Sequence, residues 1–404
     1  MGFLKGKKNK EKTVAIFDIG SGSIGGAIVR IPIEGEGIPS IIKSTRTEIA
    51  YSKDKLSSAI FTKSMLKAFS STVSSLYHTK SGAPNKVICV LASPWYSSET
   101  RIVKIKKESP FIFTKKLAEE LLKKETDNIE LDHKKENKTL YNELEIMDQH
   151  IMSVSLNGYK VEEPLGMKTK SVEMNMIVSY SQKFFLDKIR KVISETFHHT
   201  PVSFSSFILA SYFAVRDKYI SPDSYLLVDV GGEMTEVGIV SKGILKASLS
   251  FPFGKKTFFK YMYTKLEIEL RDAQELFDLY SEGHLTPGKR KKVEELLKSI
   301  EGSWGESLRQ SIANLPHILA LPSTIFLTAD SDLIKWFTQV INNEKFIQSM
   351  TIEHKCTVVP LTGAEFIKMC KIQEGVEYDP FLMIEAISIT RKNKELYNRK
   401  TIIR

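Results

Sequence analysis

Two carboxylates stand out for where they sit. Asp18 closes the apolar run Val14–Phe17 and is followed by Gly20-Ser21-Gly22-Ser23, while Asp229 closes Tyr225–Val228 and is followed by Gly231-Gly232. A turn of glycine and serine lets backbone N–H groups approach phosphate oxygens with no Cβ in the way. An acid at the strand end beside such a turn can hold Mg²⁺ through water or orient an attacking water. Two such turns facing each other would grip a polyphosphate from both sides, the expected clamp for ATP or ADP with Mg²⁺. Two plain β-hairpins, whose turns need glycine without needing a ligand, are the competing reading. Gly20–Gly25 also spells G-x-G-x-x-G, but the dinucleotide fingerprint needs a helix directly after its glycines. Here Ala27-Ile28-Val29 runs on to Pro32, which predicts a strand instead.

The elements that must position these acids are legible. Residues 13–33 read as strand, turn and strand, and residues 224–240 repeat the design. With Asp18 aligned on Asp229, Ile16-Phe17-Asp18-Ile19-Gly20 matches Leu227-Val228-Asp229-Val230-Gly231, and Ala27-Ile28-Val29 matches Gly238-Ile239-Val240. Such an echo points to a duplicated unit. A loose apolar stripe over 56–78 predicts a helix, and residues 86–93, KVICVLAS, predict a strand. Residues 114–146 read as a charged helical stretch with an exposed loop at LDHKKENK. Strands are expected at Ile151–Leu156 and Val172–Ser179, followed by a helix near 183–197. Thr257–Ser311 reads as helix interrupted by EGHLTPGKR and EGSWG. A strand is expected at Ser323–Thr328, a helix at Ile334–Ile341, a strand at Cys356–Leu361 and a last helix over 380–389.

A chain of 404 residues, 42% hydrophobic, is long enough for more than one folding unit and is too apolar to be disordered throughout. No apolar run reaches the roughly 18–20 residues of a membrane span. The basic start, MGFLKGKKNKEK, lacks an apolar segment and does not read as a secretory signal. Cys89, Cys356 and Cys370 lie far apart with no CxxC, which suits a reducing compartment. The net charge of +10 is concentrated at the two ends: Lys5, Lys7, Lys8, Lys10 and Lys12 against Glu11, and Arg391, Lys392, Lys394, Arg399, Lys400 and Arg404 against Glu395. Basic tails on a near-neutral body suit an anionic membrane surface or an acidic partner better than nucleic acid. Solvated tails that aid solubility are the plainer alternative.

With those residues set out, residues 14–29 (VAIFDIGSGSIGGAIV) and 225–240 (YLLVDVGGEMTEVGIV) resemble the phosphate 1 and phosphate 2 motifs of the actin-like ATPase superfamily. Within it the chain is similar to the FtsA/PilM family, and most of all to the bacterial division protein FtsA. Gly158, Pro164, Leu165, Gly166 and Met167 resemble a segment of the FtsA insertion. Residues 203–215 resemble the connecting helix before phosphate 2, 273–283 (AQELFDLYSEG) an adenosine-side helix, and 379–389 (DPFLMIEAISI) the closing helix. The resemblance spans most of 13–390.

It implies an α/β, actin-like ATPase fold with two duplicated lobes around a nucleotide cleft and an FtsA-type insertion subdomain. The expected layout is a basic tail (1–12), lobe 1 in two parts (13–85 and 181–222), the insertion (86–180), lobe 2 (223–378) with a helical subdomain over 257–318, a closing helix (379–390) and a second basic tail (391–404). The implied nucleotide residues are Asp18, Gly20, Ser21, Gly22, Ser23, Gly231, Gly232, Thr235, Thr328 and Ala329. Asp18 and Asp229 are the implied Mg²⁺ residues, acting through water, and Asp229 also orients the attacking water. Four positions depart from the family: Ala329-Asp330 replaces a Gly-Gly step, Phe277 stands where Lys is expected, Gly254-Lys255-Lys256 replaces Gly-Gly, and Met234 replaces a hydroxyl residue. A carboxylate at Asp330 is expected to crowd the nucleotide or repel its phosphates.

The function implied is an ATP-binding scaffold, at most a slow ATPase, that links division components to the inner face of the cell membrane, with nucleotide as the assembly switch. Implied partners are a tubulin-like division protein or a membrane protein's cytoplasmic tail, further copies of the chain, and anionic lipid through the basic tails. FtsA attaches through an amphipathic helix after a linker, and the segment ELYNRKTIIR does not resemble one. That departure favours the alternative, a PilM-like cytoplasmic adaptor of type IV pilus or secretion assembly. A small-molecule kinase of the same superfamily finds no sugar-binding segment here. His198-His199 reads as a helix end, and Trp95, Trp304 and Trp336 as packing residues.

Overall fold

The computed structural model describes residues 11–33, 37–50, 58–79, 81–136, 143–313, 321–343 and 356–401. The N-terminal basic residues 1–10 lie outside the described residues. Two units divide the chain: Met1–Ala92, Leu186–Ile220 and Leu361–Arg404 form the first, and Ser93–Phe185 with Ser221–Pro360 the second.

In the first unit, six strands lie in the order β15-β3-β2-β1-β4-β9. They are β1 (Glu11–Ile19), β2 (Ser23–Pro32), β3 (Ser40–Glu48), β4 (Lys86–Leu91), β9 (Val202–Ser206) and β15 (Lys371–Ile372). From Ala15 to Ile19 every residue of β1 is buried, Asp18 included, as a central strand covered on both faces must be. Helices α1 (Ser58–His78), α3 (Lys183–Phe197, from Leu186 on) and α4 (Phe207–Lys218) belong to this unit, as does a C-terminal helix, Pro380–Thr401. Nine consecutive residues of α4, Phe207–Val215, are buried, so this helix is covered all round. The Phe207 and Phe381 rings, 5.6 Å apart, join it to the C-terminal helix.

The second unit holds a five-stranded sheet in the order β12-β11-β10-β13-β14, made of β10 (Tyr225–Val230), β11 (Thr235–Ser241), β12 (Ile244–Phe251), β13 (Thr324–Ala329) and β14 (Thr357–Pro360). It has the connectivity of β3-β2-β1-β4-β9: three antiparallel strands, then two parallel additions. The internal echo of the sequence is thus an echo of topology. Helices α5 (Lys255–Leu266), α6 (Leu270–Ser281), α7 (Pro287–Ala313) and α8 (Ile334–Asn342) supply an aromatic core in which Phe258, Phe277, Trp304 and Phe337 are fully buried. The same unit carries a four-stranded antiparallel sheet, β5-β8-β6-β7. Its strands are β5 (Ser97–Ile112), β6 (Leu144–Leu156), β7 (Tyr159–Val161) and β8 (Lys168–Gln182), and α2 (Lys115–Glu136) packs Leu121 and Ile129 with Met174 and Met176.

Four boundaries differ from the sequence reading. Lys86–Leu91 pairs in parallel with β1 and so belongs to the first sheet, not to the insertion. Helix α2 continues through 131–136, where a loop was expected, because His133 is anchored 3.1 Å from both Glu99 Oε1 and Tyr180 Oη. Helix α7 runs unbroken through EGSWG, since buried Trp304 and Gly305 face the core. The C-terminal helix continues past 390 to Thr401. Among the described residues no helix is long and apolar enough to cross a membrane.

Candidate functional site

The glycines after Asp18 lead straight into β2, paired antiparallel with β1, so no helix follows them and the dinucleotide arrangement is absent here. At the Asp18 level, pairing across the sheet sets four residues in a row: Arg46 on β3, Gly25 on β2, Asp18 on β1 and Val90 on β4. Side chains directly opposite one another in a sheet share a face. Arg46 reaches across Gly25 to Asp18: its Nη2 donates to Asp18 Oδ2 at 2.8 Å, Nη1 to Ser23 Oγ at 2.8 Å, and Nε to Asp379 Oδ2 at 2.8 Å. A Cβ at Gly25 would lie 2.6 Å from Arg46 Nη2, so glycine keeps this lane open. Burial disfavours the charge on Arg46, but Asp18 and Asp379 outweigh it and hold the guanidinium firmly charged. The guanidinium also lies 5.3 Å from the Phe381 ring centre.

Glu385, on the C-terminal helix and six residues beyond Asp379, is fully buried, and neither carboxylate oxygen has a hydrogen-bond partner. Burial, and then the charges of Asp18 and Asp379, push it well above the usual carboxylate range. Ser21 is buried, Gly20 and Gly22 are half-buried, and the Gly22 carbonyl accepts from Ile49 N–H at 2.9 Å.

In the second unit the equivalent row is Ser250 on β12, Glu236 on β11, Asp229 on β10 and Thr328 on β13. Asp229 accepts from the Thr328 hydroxyl at 2.6 Å. Glu236 is buried, and its Oε1 accepts from the Tyr96 hydroxyl. Burial, reinforced by Asp229, raises it to about 8, against the opposing hydrogen bond from Tyr96. Asp229 thus has a carboxylic acid beside it that is protonated at neutral pH.

Several residues expected to face a nucleotide are engaged by the protein itself. Thr235 is fully buried; its hydroxyl donates to the Phe253 carbonyl at 2.5 Å and accepts from Trp304 Nε1 at 3.1 Å. Gly231 N–H donates to the Met234 carbonyl at 2.9 Å. The Gly231 and Gly232 carbonyls accept from the N–H groups of Lys255 and Lys256 at the start of α5. Gly254 permits that approach, since a Cβ there would sit 2.4 Å from the Gly231 carbonyl. Ala329, at the end of β13, is buried.

Two departures from the family pattern compensate one another. Lys255 Nζ lies 2.9 Å from both Asp330 and Asp332, which hold its charge against the cost of burial. Asp330 is therefore an ion-paired group and not the free repelling charge the sequence suggested, and the lysine with its two aspartates keeps a net charge of −1. Phe277, where lysine was expected, is buried with its ring 5.0 Å from Phe258 and 6.0 Å from Phe259. The tryptophans pack as expected: Trp95 stacks on Phe185 at 4.9 Å, and Trp304 and Trp336 lie in the core. His198 follows the end of α3 with φ 52°, the helix end the sequence predicts.

Direct ligation of Mg²⁺ by Asp18 Oδ2 does not fit this arrangement. The ion needs near-octahedral oxygen ligands at roughly 2.0–2.1 Å, most of them water, and a guanidinium already sits on the Asp18 oxygen with Asp379 on its other side. Among the described residues no group of three or more His, Cys, Asp or Glu is placed to hold a metal ion. Arg46, Asp379 and Glu236 escaped the sequence reading, and Lys255 stood there only as a departure from the family pattern. Extending the Asp18–Asp229 alignment by seven residues sets Gly25 against Glu236, a signal that would have found one of them.

No family model matches the chain, and no curated protein sequence does. Solved structures do. A PilM–PilN type IV pilus biogenesis complex matches at 12% identity over 93% of this chain and 97% of that chain, TM-score 0.61. The ethanolamine utilization protein EutJ from Carboxydothermus hydrogenoformans matches at 10% identity over 95% and 90%, TM-score 0.45. A Bacteroides thetaiotaomicron protein described as having an actin-like ATPase fold matches at 12% over 89% and 94%, TM-score 0.37. The chain has the actin-like ATPase fold, and at these identities the likeness speaks for fold alone.

Proposed function

We propose that this chain is an actin-fold scaffold that binds ATP or ADP as a ligand that sets its state, does not turn it over appreciably, and grips the cytoplasmic segment of a membrane protein. One observation carries it: Asp18, the acid a hydrolysing relative would use toward Mg²⁺, is tied to Arg46 inside its own unit. Phosphate contacts are assigned to the backbone at Gly20, Ser21, Gly22 and Ser23 and at Gly232, with Asp229 toward water. Thr235 drops from that set because both of its hydroxyl contacts are spent inside the fold.

The finer reading favoured is a PilM-like adaptor at the inner face of the membrane, since PilM in the matched complex is paired with PilN. The division reading, an FtsA-like scaffold that self-associates and meets a tubulin-like protein, has one observation of its own. The turn Pro164–Met167 is pinned by Gly166 N–H to the Phe113 carbonyl at 2.8 Å and by Phe113 N–H to the Met167 carbonyl at 2.9 Å. It leaves Leu165 and Met167 exposed as an apolar contact for another copy.

Phosphate release and membrane co-sedimentation test this together. The expected result is no release above the protein-free blank, with pelleting on inside-out native vesicles that is abolished when their surface proteins are shaved with trypsin. Steady ATP turnover that Asp229→Asn removes would overturn the scaffold reading. Equal pelleting on protein-free anionic vesicles would overturn the membrane-protein partner and leave the basic tails as the attachment. Co-pelleting with tubulin-like filaments in place of membranes would favour the division reading.

A further inference from the structure

The Asp18 row carries its own cation. We propose that Arg46 is a resident cation standing in for the divalent metal of this fold, so that the first hairpin works without magnesium; the nucleotide part of this inference rests on the function proposed above.

Every nitrogen of the guanidinium is engaged, by Asp379, Ser23 and Asp18, each at 2.8 Å. That fork-like use of a planar group fixes its position in a way a lysine could not. The sheet is built to admit it. Arg46 starts two strands away from Asp18, and the intervening position is a glycine whose Cβ would occupy the guanidinium's place. The acids around it come from two separate parts of the chain. Asp18 belongs to β1, while Asp379 and Glu385 lie at and within the C-terminal helix, so Arg46 ties hairpin and helix together. Glu385 is buried with no hydrogen-bond partner on either oxygen, and the charges of Asp18, Asp379 and Arg46 act on it. Without Arg46, the Oδ2 atoms of Asp18 and Asp379, each 2.8 Å from the same Nη2, would converge on one spot as two oxygens of the kind that Mg²⁺ or Mn²⁺ takes. With it, a divalent ion would meet a positive charge hydrogen-bonded to the very oxygen it needs.

The test uses the full chain and Mn²⁺ as the probe, with no nucleotide, following the free-ion signal by electron paramagnetic resonance. Wild type is expected to leave Mn²⁺ free. Arg46→Gln should bind it at least about tenfold more tightly, and Arg46→Lys, which keeps a cation, should behave as wild type. Should Arg46→Gln fail to fold, Gly25→Ala serves instead, because its new methyl meets the Arg46 guanidinium first, at 2.6 Å from Nη2, and Asp18 Cβ only at 3.3 Å. In a second arm, a fluorescent ATP analogue is titrated in magnesium and in EDTA, and wild-type affinities are expected to agree within about twofold.

Tight Mn²⁺ binding to wild type that Asp18→Asn abolishes overturns the inference. So does an unchanged Mn²⁺ affinity in both Arg46→Gln and Gly25→Ala, or a fall of about tenfold or more in analogue affinity in EDTA. Failure of the analogue to bind in either buffer counts against the proposed nucleotide ligand, and the nucleotide-free arm then decides the role of Arg46 by itself.

Discussion

The two hairpins are built on one plan and compensated in opposite ways. In the first unit the row reads Arg46, Gly25, Asp18, Val90; in the second it reads Ser250, Glu236, Asp229, Thr328. The glycine of the first row lets a cation reach the acid from two strands away. The second row has an acid in place of that glycine, and relieves the charge by keeping Glu236 protonated and by a neutral donor, Thr328. A duplicated scaffold therefore fixes where the carboxylate sits but not how its charge is met. The neighbours in the row decide that, and with it whether a metal has room.

Removing the cation should cost most. Arg46→Ala takes from Asp18 and Asp379 the cation they share in a largely buried site, and a loss of about 3 kcal/mol is expected in urea unfolding. A loss no larger than that of Thr328→Val would erase the difference between the rows. The next effect is a pH dependence peculiar to the second row. Glu236 has its folded value raised to about 8 from an ordinary 4.5, so the native state holds a proton that the unfolded chain gives up. Its contribution is complete below about pH 4.5 and is lost as pH rises through 8, with slope set by the difference in bound protons. Glu236→Gln should flatten that decline across the window, read as melting temperature against pH. Glu385, raised in the same direction, adds a decline that Glu236→Gln leaves in place.

Smaller effects sharpen the picture of the second unit. Lys255→Ala should cost about 1–2 kcal/mol, discounted because Asp330 and Asp332 are partly exposed. Adding Asp330→Asn should recover part of that loss, because the two positions act as a pair. Full additivity in the double variant would show that they do not compensate one another. Thr328→Val, which removes the hydrogen bond of a neutral donor to the Asp229 carboxylate, should cost about 1.5 kcal/mol.

Much of this was legible because it is local. A buried apolar strand ending in Asp and glycine is written in consecutive residues, and it recurs at 14–20 and 225–231. The wrong boundaries were places where packing overrides local signals: EGSWG looks like a break until Trp304 is seen inside the core. What decides the chemistry is not local. Arg46 meets Asp18 through the register of β3 on β2, and Asp379 arrives from the far end of the chain. Lys255 and Asp330 looked like two separate defects in a nucleotide pocket, and only their 2.9 Å separation makes them one ion pair. Thr235 is hydroxyl-bearing and correctly spaced, yet Trp304, from a helix further along the chain, takes up that hydroxyl.

The most direct measurement is a crystal structure of the full chain grown with Mn²⁺ and a non-hydrolysable ATP analogue, with data collected at the manganese edge. The expected result is no anomalous peak at the Asp18 carboxylate, with Arg46 still bonded to Asp18, Ser23 and Asp379. A manganese peak on Asp18, with Arg46 swung away, would contradict the central claim that this hairpin carries its own cation.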